Sequence, residues 1–231
     1  MTFRNRLFPS LLLLALAIVL TTAASAQQFS IARIYIEYNS TPRDLGFHVS
    51  LDGEDWKSMA IVNPAGKVIF KVDGKAAYKQ LGMTELFFEG AEPALDEFPL
   101  QSLLGLFPEG TYRFIGTNVD GETLVSDATL SHAVPDGPRV RAIVDDEHVV
   151  IQWDPVTTAP PDFPVQHVEI AGYQVIVESF QVTLPADATS VTLPEEFVDS
   201  LEAGDVLFEV LAIEASGNQT ITEGSFLKTD E

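Results

Sequence analysis

Short runs of alternating apolar and polar residues dominate the chain from residue 27 onward. Ile34, Ile36 and Tyr38 alternate with polar neighbours, and the segments 47–51 and 68–72 repeat the pattern. A period of two residues turns one face of a strand toward a core and the other toward solvent. The chain is therefore predicted to be mainly β and built from many short strands.

Turn dipeptides separate several of these strands. Asp52-Gly53, Asp73-Gly74 and Asp120-Gly121 each combine a residue that favours turns with a glycine. The third lies between Tyr112–Asn118 and Glu122–Leu130, and this arrangement predicts a tight hairpin.

One segment has a helical period instead. Leu100, Leu103, Leu104 and Phe107 lie at i, i+3, i+4 and i+7, which places them on one face of a short helix. Lys75–Leu81, closed by Gly82, is predicted to be a further helical turn. The region 74–107 is therefore interpreted as a mixed insertion on a β-sandwich. Such an insertion covers an open end of the core or shapes a binding pocket.

The first 26 residues have the order of a signal peptide. Arg4 and Arg6 precede the apolar run Leu11–Leu20, and Ala24-Ser25-Ala26 has the small residues of a cleavage site. An uncleaved N-terminal anchor is the alternative. The signal-peptide interpretation predicts an exported protein, periplasmic or extracellular, with no membrane span after cleavage.

Asp136-Gly137-Pro138 is the predicted boundary between two domains, because glycine and proline together change the direction of the chain between two strand-like runs. The division gives residues 27–137 and residues 138–231. Each part is predicted to be an immunoglobulin-like β-sandwich, and the first carries the insertion.

Three motifs in the second part occur in a particular order. They are I-x-W-D-P at Ile151–Pro155, I-x-G-Y-x-V at Ile170–Val175, and F-x-V-x-A-x-x-A-x-G at Phe208–Gly217. With these motifs, residues 138–231 resemble a fibronectin type III domain. Val206 stands where that family usually carries a tyrosine. The resemblance implies a spacer or protein-interaction module and no catalytic residues. In the first part, Gly110–Phe114 followed by Asp120–Thr123 resembles the closing hairpin of bacterial immunoglobulin-like modules.

Charge and cysteine content narrow the range of functions. The chain has a formal net charge of −21 and no cysteine. The negative charge excludes electrostatic capture of nucleic acid or of an anionic membrane surface. The absence of cysteine excludes disulfides, thiolate metal sites and cysteine nucleophiles. The second part carries 18 acids and only three basic residues, so basic partners or divalent ions are favoured.

The polar residues form no known catalytic or metal-binding motif. The histidines His48, His132, His148 and His167 form no H-E-x-x-H motif and no i, i+4 pair. His48 lies between Phe47 and Val49 and is predicted to point outward on an edge or on the surface. No nucleophile elbow, phosphate-binding loop or dinucleotide glycine pattern occurs. The prediction is therefore no catalytic residue, no cofactor and no metal ligand.

Acidic clusters are the remaining candidates. The cluster in the insertion consists of Glu85, Glu89, Glu92, Asp96 and Glu97. Asp52–Asp55 and Asp145–Glu147 offer carboxylates to Ca²⁺ but lack the spacing of a calcium loop, so solvated acidic turns are favoured.

The sequence favours an exported, non-enzymatic binding or scaffolding protein. Its expected partner is a protein or polysaccharide of the cell envelope, of unknown identity. One alternative is a small-ligand or glycan-processing protein with a site under the 74–107 insertion. Another is Ca²⁺-dependent stabilisation of the acidic surface.

Overall fold

The computed structural model describes residues 27–145 and 148–229. The predicted signal peptide, residues 1–26, lies outside the described residues. The described part is mainly β, as predicted, with thirteen strands and three short helices. No helix within it is long and apolar enough to cross a membrane.

The first half of the chain contains six strands and two helices. In chain order they are β1 (Ile31–Asn39), β2 (Asp44–Val62), β3 (Val68–Asp73), α1 (Ala77–Leu81), β4 (Met83–Glu89), α2 (Leu100–Leu106), β5 (Gly110–Asn118) and β6 (Thr123–Leu130). Strands β5 and β6 form the predicted hairpin, with Gly121 at φ 91° in its turn. The apolar alternation in β1 is confirmed, because Ile34, Ile36 and Tyr38 are buried.

Strand β2 is bent, and the bend corrects one prediction. Asp52-Gly53 does not end a strand: the register shifts between Asp52 and Trp56, and the strand continues. Residues before the bend pair with β1 and β4, and residues after it pair with β3 and β5, except that Trp56 also pairs with Met83 of β4. Gly53 lies against Phe29, where a side chain would come within 2.8 Å of the ring. The glycine therefore provides space for a core aromatic residue and not the backbone of a turn.

The insertion is integrated into the first half. Both predicted helices are present as α1 and α2, and Leu103 and Leu104 of α2 are buried in the first hydrophobic cluster. Phe107, just after α2, stacks on Phe47 with ring centroids 4.0 Å apart. Strand β4 pairs with β2 along its length. The insertion thus adds a strand to the sheet and side chains to the core.

The second half contains seven strands and one helix. They are β7 (Val140–Val144), β8 (Val149–Trp153), β9 (Ile170–Val177), β10 (Phe180–Pro185), β11 (Ser190–Thr192), α3 (Glu195–Ser200), β12 (Gly204–Glu214) and β13 (Gln219–Lys228). One sheet has the order β11-β8-β7, and the facing layer has the order β10-β9-β12-β13. A second hydrophobic cluster between them includes Trp153, Tyr173, Val206 and Phe208.

The two halves share a sheet. Strand β13 pairs in parallel with β1, with Glu37 opposite Gln219 and Asn39 opposite Ile221. This pairing produces one sheet of ten strands, in which the order β10-β9-β12-β13 continues into β1-β2-β5-β6. We call this parallel pair and the side chains that seal it the joint.

Buried polar side chains seal the joint. The Asn218 side chain accepts a hydrogen bond from the Ile36 N–H at 2.8 Å and donates to the carbonyl oxygens of Ser131 and Ala133. Thr220 donates to the Pro135 carbonyl, and both Asn218 and Thr220 are buried. These hydrogen bonds join Asn218 and Thr220 to β1 and to the segment that follows β6. The joint is therefore held by specific hydrogen bonds as well as by strand pairing.

The proline-rich loop between β8 and β9 also reaches the first half. Ala159 and Phe163 are buried in the first hydrophobic cluster, and the Phe163 ring lies 5.1 Å from the Tyr38 ring. The Asp136 N–H donates to the Thr158 carbonyl at 2.8 Å. The second half therefore contributes core residues to the first.

Candidate functional site

The outer face of the shared sheet carries most of the candidate chemistry. We use this term for the face opposite the two hydrophobic clusters. Its residues are brought together by strand register: Tyr35 pairs with His48, His48 pairs with Glu89, and Glu209 pairs with Glu223. The outer face therefore extends from the insertion in the first half, across the joint, into the second half.

His48 occupies this face, but it is not solvated as predicted. Its side chain is 4% exposed, and it lies under neighbours from three segments of the chain. The Tyr35 ring stacks on the imidazole with centroids 5.1 Å apart, and Phe87 lies 5.9 Å away. The alternation of β2 determines the face on which His48 lies. The insertion, which folds back over that face, determines its burial.

Two carboxylates compete for one nitrogen of His48. The Nε2 atom lies 3.3 Å from Glu92 Oε1 and 3.6 Å from Glu37 Oε1. One ligand atom from each of the three residues falls within 4.8 Å of the others. A third carboxylate, Glu89 Oε2, lies 3.7 Å from the other ring nitrogen, Nδ1. We call Glu37, His48, Glu89 and Glu92 the His48 cluster.

In either neutral form of the His48 ring, one nitrogen lone pair faces a carboxylate. If Nε2 carries the proton, the ring donates toward Glu92, and the lone pair on Nδ1 faces the Glu89 carboxylate. If Nδ1 carries the proton, the lone pair on Nε2 faces two carboxylates. Nδ1 is buried and has no hydrogen-bond partner among the described residues. Both conflicts disappear when the ring is doubly protonated, or when a metal cation lies at Nε2 and a proton at Nδ1.

The backbone of β2 makes room for the Glu92 side chain. A Cβ atom at position 46 would collide with the Glu92 carboxylate, so glycine is required there if Glu92 is to reach His48. Gly46 is also the register partner of Glu37. The missing side chain therefore opens the space in which the two carboxylates approach the same nitrogen.

Burial and like charge perturb several groups on the outer face. Burial raises the pKa of Glu92; the hydrogen bond from His48 opposes this shift, and the Glu37 carboxylate adds to it. Burial also raises the pKa of Glu209, with further contributions from Glu223 and Glu37. The Glu37 carboxylate thus disfavours the charged form of an acid on each side of the joint.

The acidic cluster predicted in the insertion is divided by the fold. Glu89 and Glu92 join the His48 cluster, whereas Glu85 faces Asp52 across the β2–β4 pair. Asp96 and Glu97 are exposed beyond the cluster. Asp52–Asp55 lies in the bend of β2. In the second acidic turn, Asp146 and Glu147 lie outside the described residues.

The other histidines have local structural roles or are exposed. His132 is buried, and its Nε2 lies 2.8 Å from the Phe107 carbonyl oxygen. His148 is exposed beside Asp145, with Nδ1 and Oδ1 3.5 Å apart. His167 is exposed.

Sequence reasoning missed Glu37 and Asn218. Glu37 was visible only as a polar residue in an alternating strand, and its role depends on residues 11 and 55 positions further along the chain. Asn218 resembles an ordinary turn residue after Gly217. Three of its hydrogen bonds span between 85 and 182 positions of sequence, so no local pattern reveals them.

A small cleft lies beside the insertion, near the joint. It is lined by Tyr38, Arg43, Leu95, Leu100 and Phe163, among others. Arg43 and Asp162 form an exposed ion pair at its edge, 3.8 Å apart. The cleft therefore combines an apolar floor with charged groups at its rim.

Comparison with known proteins adds little. No protein-family model matches the chain, and no curated protein is similar to it. Among solved structures, the spore cortex lytic enzyme SleM of Clostridium perfringens is 18% identical, with a TM-score of 0.32 over 40% of this chain and 28% of that one. A biofilm-associated protein BSP domain is 16% identical, with a TM-score of 0.26 over 87% of this chain and 30% of that one.

A tandem repeat from the extending region of a large adhesion protein is 13% identical, with a TM-score of 0.29 over 86% of this chain and 50% of that one. The chain thus spans at most half of these three structures. At these TM-scores the similarities establish neither a shared fold nor a shared function.

Proposed function

We propose that the protein is an exported, non-enzymatic binding or scaffolding protein of the cell envelope, located in the periplasm or outside the cell. Its two halves would act as one rigid body that presents the outer face to a partner. The leader-like residues 1–26 support export, and the joint supports the rigid body.

The observation that carries the proposal is the parallel pairing of β1 with β13. Two β modules joined by a flexible linker move independently, whereas a shared sheet fixes their orientation. Asn218 and Thr220 close the pair with buried hydrogen bonds. A scaffold needs fixed geometry between its binding surfaces, and the joint supplies it.

The second half supports the resemblance to a fibronectin type III domain. Its seven strands form a three-stranded layer facing a four-stranded layer, with Trp153 and Tyr173 in contact between them. Val206 fills its position as a buried core residue. We therefore propose that residues 138–231 form a type III-like module and that the first half is an immunoglobulin-like module with an inserted strand and helices.

The chemistry of the outer face favours a basic partner. Glu209 and Glu223 lie opposite each other on β12 and β13, close to Glu37 across the joint. Such a concentration of carboxylates attracts cationic protein surfaces and repels acidic polymers. Of the two expected partner classes, a basic protein of the envelope fits this face better than an acidic polysaccharide.

The experiment compares two double variants of equal charge. Glu209→Gln with Glu223→Gln alters the outer face, and Glu195→Gln with Glu196→Gln alters α3. Each purified chain is immobilised and exposed to envelope protein extract or to cell-wall polysaccharide, at low and high salt. Bound proteins are identified by mass spectrometry, and the same fractions are assayed for glycan and peptide cleavage.

The proposal predicts saturable, salt-sensitive retention of a basic protein. The outer-face variant should lose this retention, and the α3 variant should keep it. Turnover of a glycan or peptide without retention of any partner would contradict the proposal. Equal loss in both variants would remove the outer face as the binding surface.

The cleft beside the insertion supports the alternative of a small-ligand or glycan-processing protein. Its apolar floor and its rim of Arg43 and Asp162 are suited to a small polar molecule with one apolar face. A titration with small glycans, followed by NMR, tests this alternative. Saturable shifts centred on Leu95 and Leu100 would favour it over scaffolding.

A further inference from the structure

We propose that Glu37, His48 and Glu92 bind one divalent transition-metal cation, of which Zn²⁺ is the best representative. The site lies on the outer face, where β1, β2 and the segment after β4 meet. It is independent of the envelope role proposed above, because this chain supplies all three ligands.

The spacing of the ligand atoms fits such an ion. His48 Nε2 lies 3.3 Å from Glu92 Oε1 and 3.6 Å from Glu37 Oε1. Zinc bonds to nitrogen and oxygen of about 2.0–2.2 Å, arranged tetrahedrally, separate neighbouring ligand atoms by about 3.3–3.6 Å. Both distances from His48 therefore fall in the range found around a bound ion, and the third ligand–ligand distance, between the two carboxylate oxygens, is within 4.8 Å. The Glu92 contact is a long hydrogen bond, and the Glu37 contact is longer than a hydrogen bond.

The unpartnered nitrogen of His48 is the second, independent observation. Histidine ligands usually donate their other ring N–H to a carboxylate, which orients the ring and makes the ligating nitrogen more basic. Nδ1 is buried without a hydrogen-bond partner among the described residues, and the nearest carboxylate oxygen, Glu89 Oε2, is 3.7 Å away. Metal binding at Nε2 would place the proton on Nδ1, and Glu89 could then move closer and accept a hydrogen bond from it.

The ligand types select the class of cation. One imidazole with two carboxylates suits Zn²⁺ and similar ions, whereas Ca²⁺ and Mg²⁺ prefer sites built entirely from oxygen. Three protein ligands leave a fourth position for water or for a donor from a partner. The cation would also offset the repulsion between Glu37 and Glu92, which now share a mostly buried space.

Binding would link the insertion to the joint. Glu92 follows β4 in the insertion, and Glu37 lies on β1, where its Oε2 accepts a hydrogen bond from Gln219 of β13. Glu37 uses its other oxygen, Oε1, toward His48. One carboxylate can therefore hold the cation and the second half together, so metal binding should stabilise the joint as well as the insertion.

The test measures the Zn²⁺ affinity of the purified chain without residues 1–26, after a chelator has removed bound metal. Competition with a chromophoric zinc chelator gives affinity and stoichiometry for the wild type and for His48→Gln, Glu92→Gln and Glu89→Gln. Glu97→Gln, in the same insertion, and Glu85→Gln, on the same strand as Glu89, are matched controls. Circular dichroism confirms that each variant is folded.

The proposal predicts one Zn²⁺ per chain and a higher Tm with Zn²⁺ than with equal Ca²⁺. Glu89→Gln should weaken binding by the roughly 10–100-fold typical of outer-shell partners, and Glu92→Gln and His48→Gln by more. The two controls should match the wild type. Because Glu92 lies in a partly exposed segment, its variant keeps the test valid if His48→Gln fails to fold.

Two outcomes would overturn the proposal. The first is absence of stoichiometric Zn²⁺ binding at micromolar metal. The second is binding that is equally strong in Glu92→Gln and Glu97→Gln, which would assign it to scattered surface acids. In either case the NMR signals of the His48 ring would remain unchanged on addition of Zn²⁺, as expected for an imidazole held only by its carboxylate neighbours.

Discussion

The two halves of the molecule each surround a core tryptophan with β-strands, but they arrange those strands differently. The second half places seven short strands in two layers around Trp153, and each strand has one or two neighbours. The first half bends the long strand β2 so that it pairs with four others around Trp56. Regular alternation of apolar and polar residues is sufficient to build the second half. The first half also needs a bend in β2, an inserted strand and two short helices.

The candidate chemistry follows the same division. The irregular first half contributes His48, Glu89 and Glu92, because the insertion folds back over the outer face. The second half contributes strand β13, which pairs with β12 on one side and with β1 on the other, and brings Gln219 to Glu37. The first half therefore supplies all four members of the His48 cluster, and the second half supplies the strand and the side chain that pack beside it.

The largest expected effect comes from removing either core tryptophan. Trp56→Ala or Trp153→Ala should lower the free energy of unfolding by about 3–5 kcal/mol, because each side chain is buried in the centre of a cluster. The chain has two tryptophans, so each variant retains one fluorophore, which reports on the half that was not mutated.

Because the joint couples the halves, the remaining tryptophan should report a shifted urea midpoint in both variants. Trp56→Phe and Trp153→Phe serve as references with the same fluorophore and less disruption. If the remaining tryptophan unfolds at its reference midpoint in either alanine variant, the two halves unfold independently and the joint does not couple them.

Asn218→Ala should have the next largest effect. The variant leaves the Ile36 N–H and the Ala133 carbonyl without their partner in a buried position, and the Ser131 carbonyl without its partner in a partly buried one. At about 1–3 kcal/mol for each unsatisfied buried group, partly relieved by relaxation, the expected loss is about 2–4 kcal/mol. Urea unfolding measures it.

Asn63→Ala is the matched control for this variant. Asn63 accepts hydrogen bonds from Ala65 and Lys67 in an exposed turn, where water replaces the lost partner. The expected loss there is about 1 kcal/mol or less. Equal losses at positions 63 and 218 would show that the joint adds nothing beyond ordinary turn contacts.

The smallest expected effect concerns the acids of the outer face. A carboxyl with a raised pKa in the folded state binds protons more tightly when folded, so its contribution to stability falls as pH rises through that pKa. Glu209 has such a raised pKa because of burial and the nearby Glu223 and Glu37.

Glu209→Gln should therefore raise Tm above about pH 5 and leave it unchanged below about pH 4. The gain should be less than about 1 kcal/mol after allowance for solvent screening. Glu202→Gln, which removes an exposed acid next to α3, controls for net charge. Identical pH profiles for the two variants would show that the field across the joint has no energetic consequence.

The sequence predicted the parts of the fold that depend on local pattern. Alternation identified the strands, the spacing of Leu100, Leu103 and Leu104 identified α2, and Asp120-Gly121 identified the hairpin. The prediction of a turn at Asp52-Gly53 was wrong, because the dipeptide lies in a bend within β2, where the glycine makes room for Phe29. A local pattern cannot distinguish a turn from a bulge when the difference depends on a distant aromatic residue.

The site could be predicted only in part, and the joint was not predicted. The sequence identified the acids of the insertion as candidates. Which of them approach His48 depends on the register between β2 and β4, which the sequence does not show. The burial of His48 depends on which segment covers the outer face, and the partner strand of β1 lies at the far end of the chain. Such long-range pairings leave no trace in hydrophobic periodicity.

The central claim is that the joint makes the two halves one rigid body. The chain has no native cysteine, so two spin labels can be placed without background, at Lys67→Cys in the first half and at Asp187→Cys in the second. Both positions are exposed. Pulsed electron–electron double resonance should give one narrow distance distribution, and Asn218→Ala should broaden it. A broad distribution in the otherwise native chain would contradict the claim.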